Sequence, residues 1–152
     1  MALVIVDMQP SFPPACWQPT IDAVRREILR SRCNLEPIIF LEHHRGYMPT
    51  HKCLTDLLRA PHGYEHFEVP PPKKRWSGAD VVVDVCRRRN WPMAKFRLCG
   101  VETFQCVAQT AEELTELAPR SEIEVIGDAC NDKVHGWLMF PQHPNIRIIE
   151  KP

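Results

Sequence analysis

A chain of 152 residues with 19 Lys+Arg against 19 Asp+Glu carries no net charge, so no basic field recruits nucleic acid. It is long enough to bury a sizeable core in one domain, and no apolar run approaches the ~20 residues of a membrane span. Its seven cysteines (16, 33, 53, 86, 99, 106, 130) include no Cys-x-x-Cys pair, and the chain opens directly in strand-like sequence. That pattern reads as reduced thiols in a cytoplasmic protein rather than as a disulfide framework.

Short apolar runs alternate with helical patterns, which predicts an α/β fold built from parallel strand–helix–strand units. Ala2–Val6 is the first strand, continuously apolar as a strand covered on both faces should be. Ile21 to Arg32 carries Ile21, Val24, Ile28 and Leu29 at helical spacing. Pro37 to Leu41 reads as the second strand and Phe67 to Val69 as a short third, running into Pro70-Pro71-Pro72. For Ala79 to Arg89, Val81-Val82-Val83 favours strand by propensity. The need for a crossover and the Arg87-Arg88-Arg89 ending favour helix, which is the reading adopted. Ala94 to Cys99, Glu122 to Ile126 and Ile146 to Glu150 are the remaining strands, with Thr103 to Leu117 a helix. Cys86 and Cys99 lie in apolar runs and read as core. The 15 prolines concentrate at residues 10–19 and 61–72, two loops following strands, on the side where α/β folds place their sites.

Three segments carry chemistry. Asp7 follows the first strand in Val6-Asp7-Met8-Gln9. Lys73 stands in Lys73-Lys74-Arg75-Trp76-Ser77, and Cys106 in Gly100-Val101-Glu102-Thr103-Phe104-Gln105-Cys106-Val107. Cys106 falls at a strand-to-helix turn, where the partial positive charge of a helix N-terminus favours thiolate over thiol. Taken singly each has an ordinary reading: a buried core thiol, a turn or cap aspartate, a solvated charge run. Thr103 reads as a helix N-cap whose hydroxyl meets an early helix N–H.

Together the segments resemble the isochorismatase-like cysteine hydrolases, which include the nicotinamidases. The opening strand ending in Asp-Met-Gln, the Lys-x-x-x-Ser step from Lys73 to Ser77, and the Gly-Val-x-Thr-x-x-Cys-Val-x-x-Thr-Ala segment from Gly100 to Ala111 all stand at family spacing. The resemblance implies a three-layer αβα, Rossmann-like domain with a mostly parallel six-stranded sheet. It implies Cys106 as nucleophile forming a thioester, Asp7 as general base and acid, and Lys73 as the supporting cation. Lys74 is adjacent, but counting four residues back from Ser77 selects Lys73. The backbone N–H groups of Glu102 and Cys106 would form the oxyanion hole, with a cis peptide expected at Val101–Glu102. Glu102 departs from the small or amide residue expected there. Phe12, Trp76 and Phe104 are candidate substrate-lining residues, with core packing as the alternative.

Five of the seven histidines (43, 44, 51, 62, 66) cluster with Cys53 where metal-dependent nicotinamidases carry Asp-x-His. Here Glu42-His43-His44 lacks that aspartate, so loop histidines, no metal and no cofactor are the expectation, with zinc or iron the alternative. Between Cys130 and Ile146 the last crossover is short for the family. The implied activity is hydrolysis of a small amide or related C–N or ester bond in a small-molecule substrate, by a homo-oligomer. The competing readings are a metal-assisted nicotinamidase-like amidase and a non-catalytic member binding a small ligand or a partner.

Overall fold

A computed structural model of the protein describes residues 1–43, 47–59, 63–132 and 140–149. Its strands are β1 (Ala2–Val6), β2 (Ile38–Leu41), β3 (Phe67–Glu68), β4 (Lys95–Val101), β5 (Glu122–Asn131) and β6 (Ile146–Ile149). Its helices are α1 (Gln18–Cys33), α2 (Lys52–Arg59), α3 (Ala79–Arg89) and α4 (Ala108–Leu117). The six strands form one sheet in the order β3-β2-β1-β4-β5-β6, and every pairing is parallel.

Alternation along each strand divides the core in two, because successive side chains leave opposite faces. Leu3, Ile5, Ile38, Phe40, Cys99 and Val101 face α1 and α2, meeting Val24, Ile28, Leu54 and Leu58. Val4, Val6, Ile39, Leu41, Phe96 and Leu98 face α3 and α4, meeting Val82, Val83, Cys86, Ala111 and Leu114. Two apolar clusters on one sheet are the three-layer αβα arrangement. Cys86 and Cys99 are wholly buried, as their apolar settings predict.

The valine run at 81–83 forms helix, not strand. At 3.6 residues per turn, Val82, Val83 and Val85 share a face toward the core while Asp84 and Arg87–Arg89 reach solvent. Tertiary burial overrides β propensity there. Asn90, in a left-handed conformation, ends the helix. Helix α2 was not foreseen in the histidine-rich stretch, although Leu54 and Leu58, at i and i+4, are buried on its inner face together with Thr55. β5 runs past Ile126 to Asn131. Between the pairs Leu98↔Val125 and Gly100↔Cys130, β4 advances two residues and β5 five, an irregularity beside the site. Residues 133–139 of the last crossover, and Glu150, the expected end of the sixth strand, lie outside the described residues.

Charged side chains also lie buried in this apolar frame, Arg97 and Glu27 among them. Arg97 in β4 is 2% exposed and meets Glu27 of α1 at 2.7 Å and Glu124 of β5 at 3.5 Å. A buried guanidinium is tolerated only when its charge is met.

Candidate active site

The sheet order places β1 beside β4, whose connections leave in opposite directions. A parallel sheet opens a crevice at the carboxyl ends of such a pair. Asp7 directly follows β1, and Cys106 lies five residues beyond the end of β4 at Val101. Asp7 adopts φ 52, in the left-handed region that aspartate tolerates better than most residues. Its N–H donates to Leu41 C=O at 2.9 Å, and its own C=O accepts from Gln9 N–H at 2.7 Å.

Lys73 arrives from the sheet edge. After β3 the chain continues alongside the end of β2, where Lys73 N–H donates to Glu42 C=O at 2.8 Å and Lys73 forms a parallel bridge with His43. The ammonium then reaches inward. Nζ donates to Asp7 Oδ2 at 2.9 Å and to Trp76 C=O at 2.9 Å, with both charged side chains 0% exposed. Lys74 is exposed, so Lys73 is the lysine of the site.

Cys106 sits in a π-helical turn, Thr103–Val107, in which Val107 N–H donates to Glu102 C=O at 3.3 Å. The turn widens the helix entrance immediately before α4; such turns recur at functional sites. Thr103 is not the cap. Glu102, at φ 56, holds the cap position, and the Phe104 N–H instead donates to Asp132 Oδ2 at 3.1 Å. Gly100 allows the approach: at φ 128, a Cβ there would stand 2.0 Å from Val6 C=O.

The Cys106 side chain interacts with both Asp7 and Lys73, so the structure brings the three predicted residues together. Their ionisation differs from the helix-terminus expectation. Burial, then the Asp7 carboxylate, push the Cys106 thiol well up, and the Lys73 cation does not offset them. Burial likewise raises Asp7, against the lowering influence of Lys73, Cys106 and His43. The resting site therefore holds a neutral thiol beside the buried Lys73–Asp7 pair. Asp7 Oδ1 is buried and finds no hydrogen-bond partner among the described residues.

Phe12, delivered by the first proline-rich loop, stacks on Tyr47 (centroids 5.1 Å) and on His43 (6.1 Å); His43 in turn packs on Trp76 at 5.0 Å. These rings form a ladder from Lys73 to the surface, where Tyr47 and Trp76 are about half exposed. Phe104, partly buried, packs against the core cluster between the sheet and α3–α4, to which Cys106 also belongs. Two members, His43 and Tyr47, were not singled out as lining residues. Gln9 was noted only as part of Asp-Met-Gln. It is buried, accepts the His43 N–H at 2.7 Å and donates to Met48 C=O at 2.7 Å, which fastens the ring-bearing segment to β1. Its position two residues after Asp7 was the available signal. A groove of about 580 Å³ lies on the outer side of the Lys73 loop, between Pro70–Pro72 and Val81 and Val85, with neither Asp7 nor Cys106 in its wall.

Among the described residues, no group of three or more His, Cys, Asp or Glu side chains is placed to hold a metal ion. Glu42 Oε1 accepts the Thr50 N–H at 2.7 Å and His43 is stacked between rings. His44 and His62 lie outside the described residues.

No family model and no curated protein matches this sequence. Solved structures do. The MAR1 ribonuclease from Caenorhabditis elegans superposes with a TM-score of 0.72 at 24% identity, over 88% of this chain and 66% of that one. The nicotinamidase from Staphylococcus aureus gives 0.70 at 20% identity, over 85% and 82%. The fold is that of the isochorismatase-like hydrolases. The pyrazinamidase of Pyrococcus horikoshii, in complex with zinc, matches 99% of this chain and 98% of its own with a TM-score of 0.59 at 21% identity. The chain spans just under two thirds of the ribonuclease and most of the two amidases.

Proposed function

We propose that the protein is a hydrolase of a small amide, or of a related C–N or ester bond, acting through a thioester at Cys106. The observation that carries this reading is the buried Lys73–Asp7 pair at 2.9 Å, in contact with the thiol at the crevice between β1 and β4. Desolvating two charges costs several kcal/mol each, and a buried pair seldom returns that as stability. A pair kept beside a nucleophile has a chemical use.

The steps follow from where the proton sits. Asp7 takes the thiol proton as Cys106 Sγ attacks the carbonyl carbon. Lys73, held by Asp7 and Trp76 C=O, stabilises the negative charge that develops. The backbone N–H groups of Glu102 and Cys106 are the proposed donors to the tetrahedral oxyanion. Collapse expels the amine, which receives the proton from Asp7, leaving an acyl thioester. Water, deprotonated by Asp7, attacks the thioester carbon. The acid leaves, and the proton returns to the Cys106 thiolate. No external redox partner or cofactor is needed to balance these steps. The ring ladder of Phe12, His43, Tyr47 and Trp76 favours a substrate with a flat face, and nicotinamide and pyrazinamide are the first amides to try.

The test is ammonia release from a panel of primary amides, with acid-quenched mass spectrometry for the acyl adduct. Cys106→Ala is expected to show neither adduct nor turnover. Asp7→Asn should slow acylation by about 10²- to 10⁴-fold, as for loss of a general base. Hydrolysis persisting in Cys106→Ala would sink the thioester route.

A further inference from the structure

The catalytic reading needs the nucleophile turn and the lysine loop, which come from different parts of the chain, to hold a fixed separation. Lys73 Nζ is held on the loop's own carbonyls, those of Trp76 and Arg75. The loop must then be fixed against the element that carries Cys106. One buried hydroxyl does this. Thr110 Oγ1, on a side chain with no exposure, donates to Cys106 C=O at 2.6 Å and accepts the Gly78 N–H at 3.0 Å. A threonine hydroxyl bonding back to the carbonyl four residues earlier is a local helix habit. Simultaneous acceptance from a backbone N–H 32 residues away is not.

Neighbouring contacts make the join directional. Ser77 Oγ donates to Glu113 Oε2 at 2.7 Å and accepts the Ala79 N–H at 3.2 Å. Thr110 and Glu113, at i and i+3, present one face of α4 to the loop. On its other side, Gly78 lies close to β2: a Cβ there would meet Leu41 Cδ1 at 2.5 Å. Gly78 is thus clamped between Leu41 and Thr110, and Lys73 is anchored five residues upstream.

We infer that Thr110 is a positioning residue of the proposed reaction: its hydroxyl ties the Cys106 turn to the Lys73 loop and so sets the thiol–ammonium–carboxylate geometry. The inference rests on the thioester reading above. Thr110→Val keeps shape and volume, removes both hydrogen bonds and leaves the Gly78 N–H without its acceptor. Thr110→Ser keeps the hydroxyl.

The experiment is the rate of iodoacetamide labelling at Cys106 across pH, by peptide mass spectrometry, with exposed Cys16 as internal control. Thr110→Val is expected to slow Cys106 labelling at pH 8 by about tenfold or more, the scale of a small misplacement at a reacting centre. Its pH midpoint should rise, because the Lys73 cation that favours the thiolate has moved. Cys16 should be unaffected, and Thr110→Ser should stay within about threefold of the wild type. If Thr110→Val does not fold, Thr110→Ala, labelled below its melting temperature, gives the same comparison. A lower melting temperature with wild-type or faster labelling and an unmoved midpoint overturns the inference and leaves Thr110 a packing residue. Asp7→Asn and Lys73→Met separate the two ideas. If both leave the Cys106 profile as in the wild type, the thioester reading fails and the positioning role falls with it. If they change the profile and Thr110→Val does not, only the positioning role is lost.

Discussion

Cys106 and Asp7 are both removed from water, and the consequence for each is the same: the charged form is disfavoured. For Cys106 this means a thiol at rest, which in the proposed reaction ionises only as Asp7 withdraws its proton. For Asp7 it fixes a pH limit. The carboxyl must be ionised to act as base, and its pKa stands above the 3.8 of an ordinary aspartate. Acylation should therefore fail on the acid side at a pH higher than an exposed aspartate would give. Lys73→Met should move that acid limb further up, because the Lys73 cation is the largest influence lowering Asp7. The check is the pH dependence of single-turnover thioester formation. An acid limb unmoved in Lys73→Met would mean that Asp7 does not set it.

β4 and the turn that follows decide where Cys106 stands. Gly100 occupies a backbone conformation at φ 128 that side chains rarely adopt, and a methyl group there would collide with the backbone of β1. Because Asp7 directly follows β1, pushing the strands apart would both destabilise the fold and separate Asp7 from the thiol. Gly100→Ala is expected to cost about 3 kcal/mol or more, read as a lowered urea midpoint, with Cys106 acylation lost even under folding conditions. Full stability in Gly100→Ala would show that the strand accommodates the methyl group. Helix α3 teaches a different lesson. Its Val81-Val82-Val83 run points to strand by propensity, yet it forms a helix because the crossover between parallel strands needs one and because its apolar positions fall on one helical face.

For the molecule as a whole, three thiols are held away from water, Cys86, Cys99 and Cys106, and a fourth, Cys130, is partly buried. Burial is the first cause in each case, taking Cys86 to about 11 and Cys130 to about 12, with Cys99 and Cys106 also raised. In the unfolded chain such thiols ionise near 9. The native state therefore binds more protons than the unfolded state above that pH. The stability these thiols contribute is whole below about pH 9 and is lost as pH rises toward their folded values. The melting temperature should fall between pH 8 and pH 10.5, and Cys86→Val should show a shallower fall than the wild type. Parallel curves for the two proteins would remove Cys86 from the account. No described helix is long and apolar enough to cross a membrane.

Much of the site was legible along the chain. Asp7 closes an apolar run, Lys73 stands four residues before Ser77, and Cys106 lies in a spaced motif between a strand and a helix; each is a local pattern, and local patterns survive in sequence. The parallel strands were legible for the same reason, since burial on both faces leaves continuous apolar runs. Other features depend on pairs far apart in the chain or on exclusion of water, which no short window records. The Thr110–Gly78 join, the hold of Gln9 on His43 and Met48, and the pairing of Arg97 with Glu27 and Glu124 exist only once the sheet assembles. Arg97 sits inside an apolar-looking run and gives no local sign of its partners. The direction of the Cys106 shift is of this kind too. A helix terminus and a lysine favour the thiolate, but burial and the Asp7 carboxylate outweigh them, and burial is a property of the packed molecule rather than of the chain.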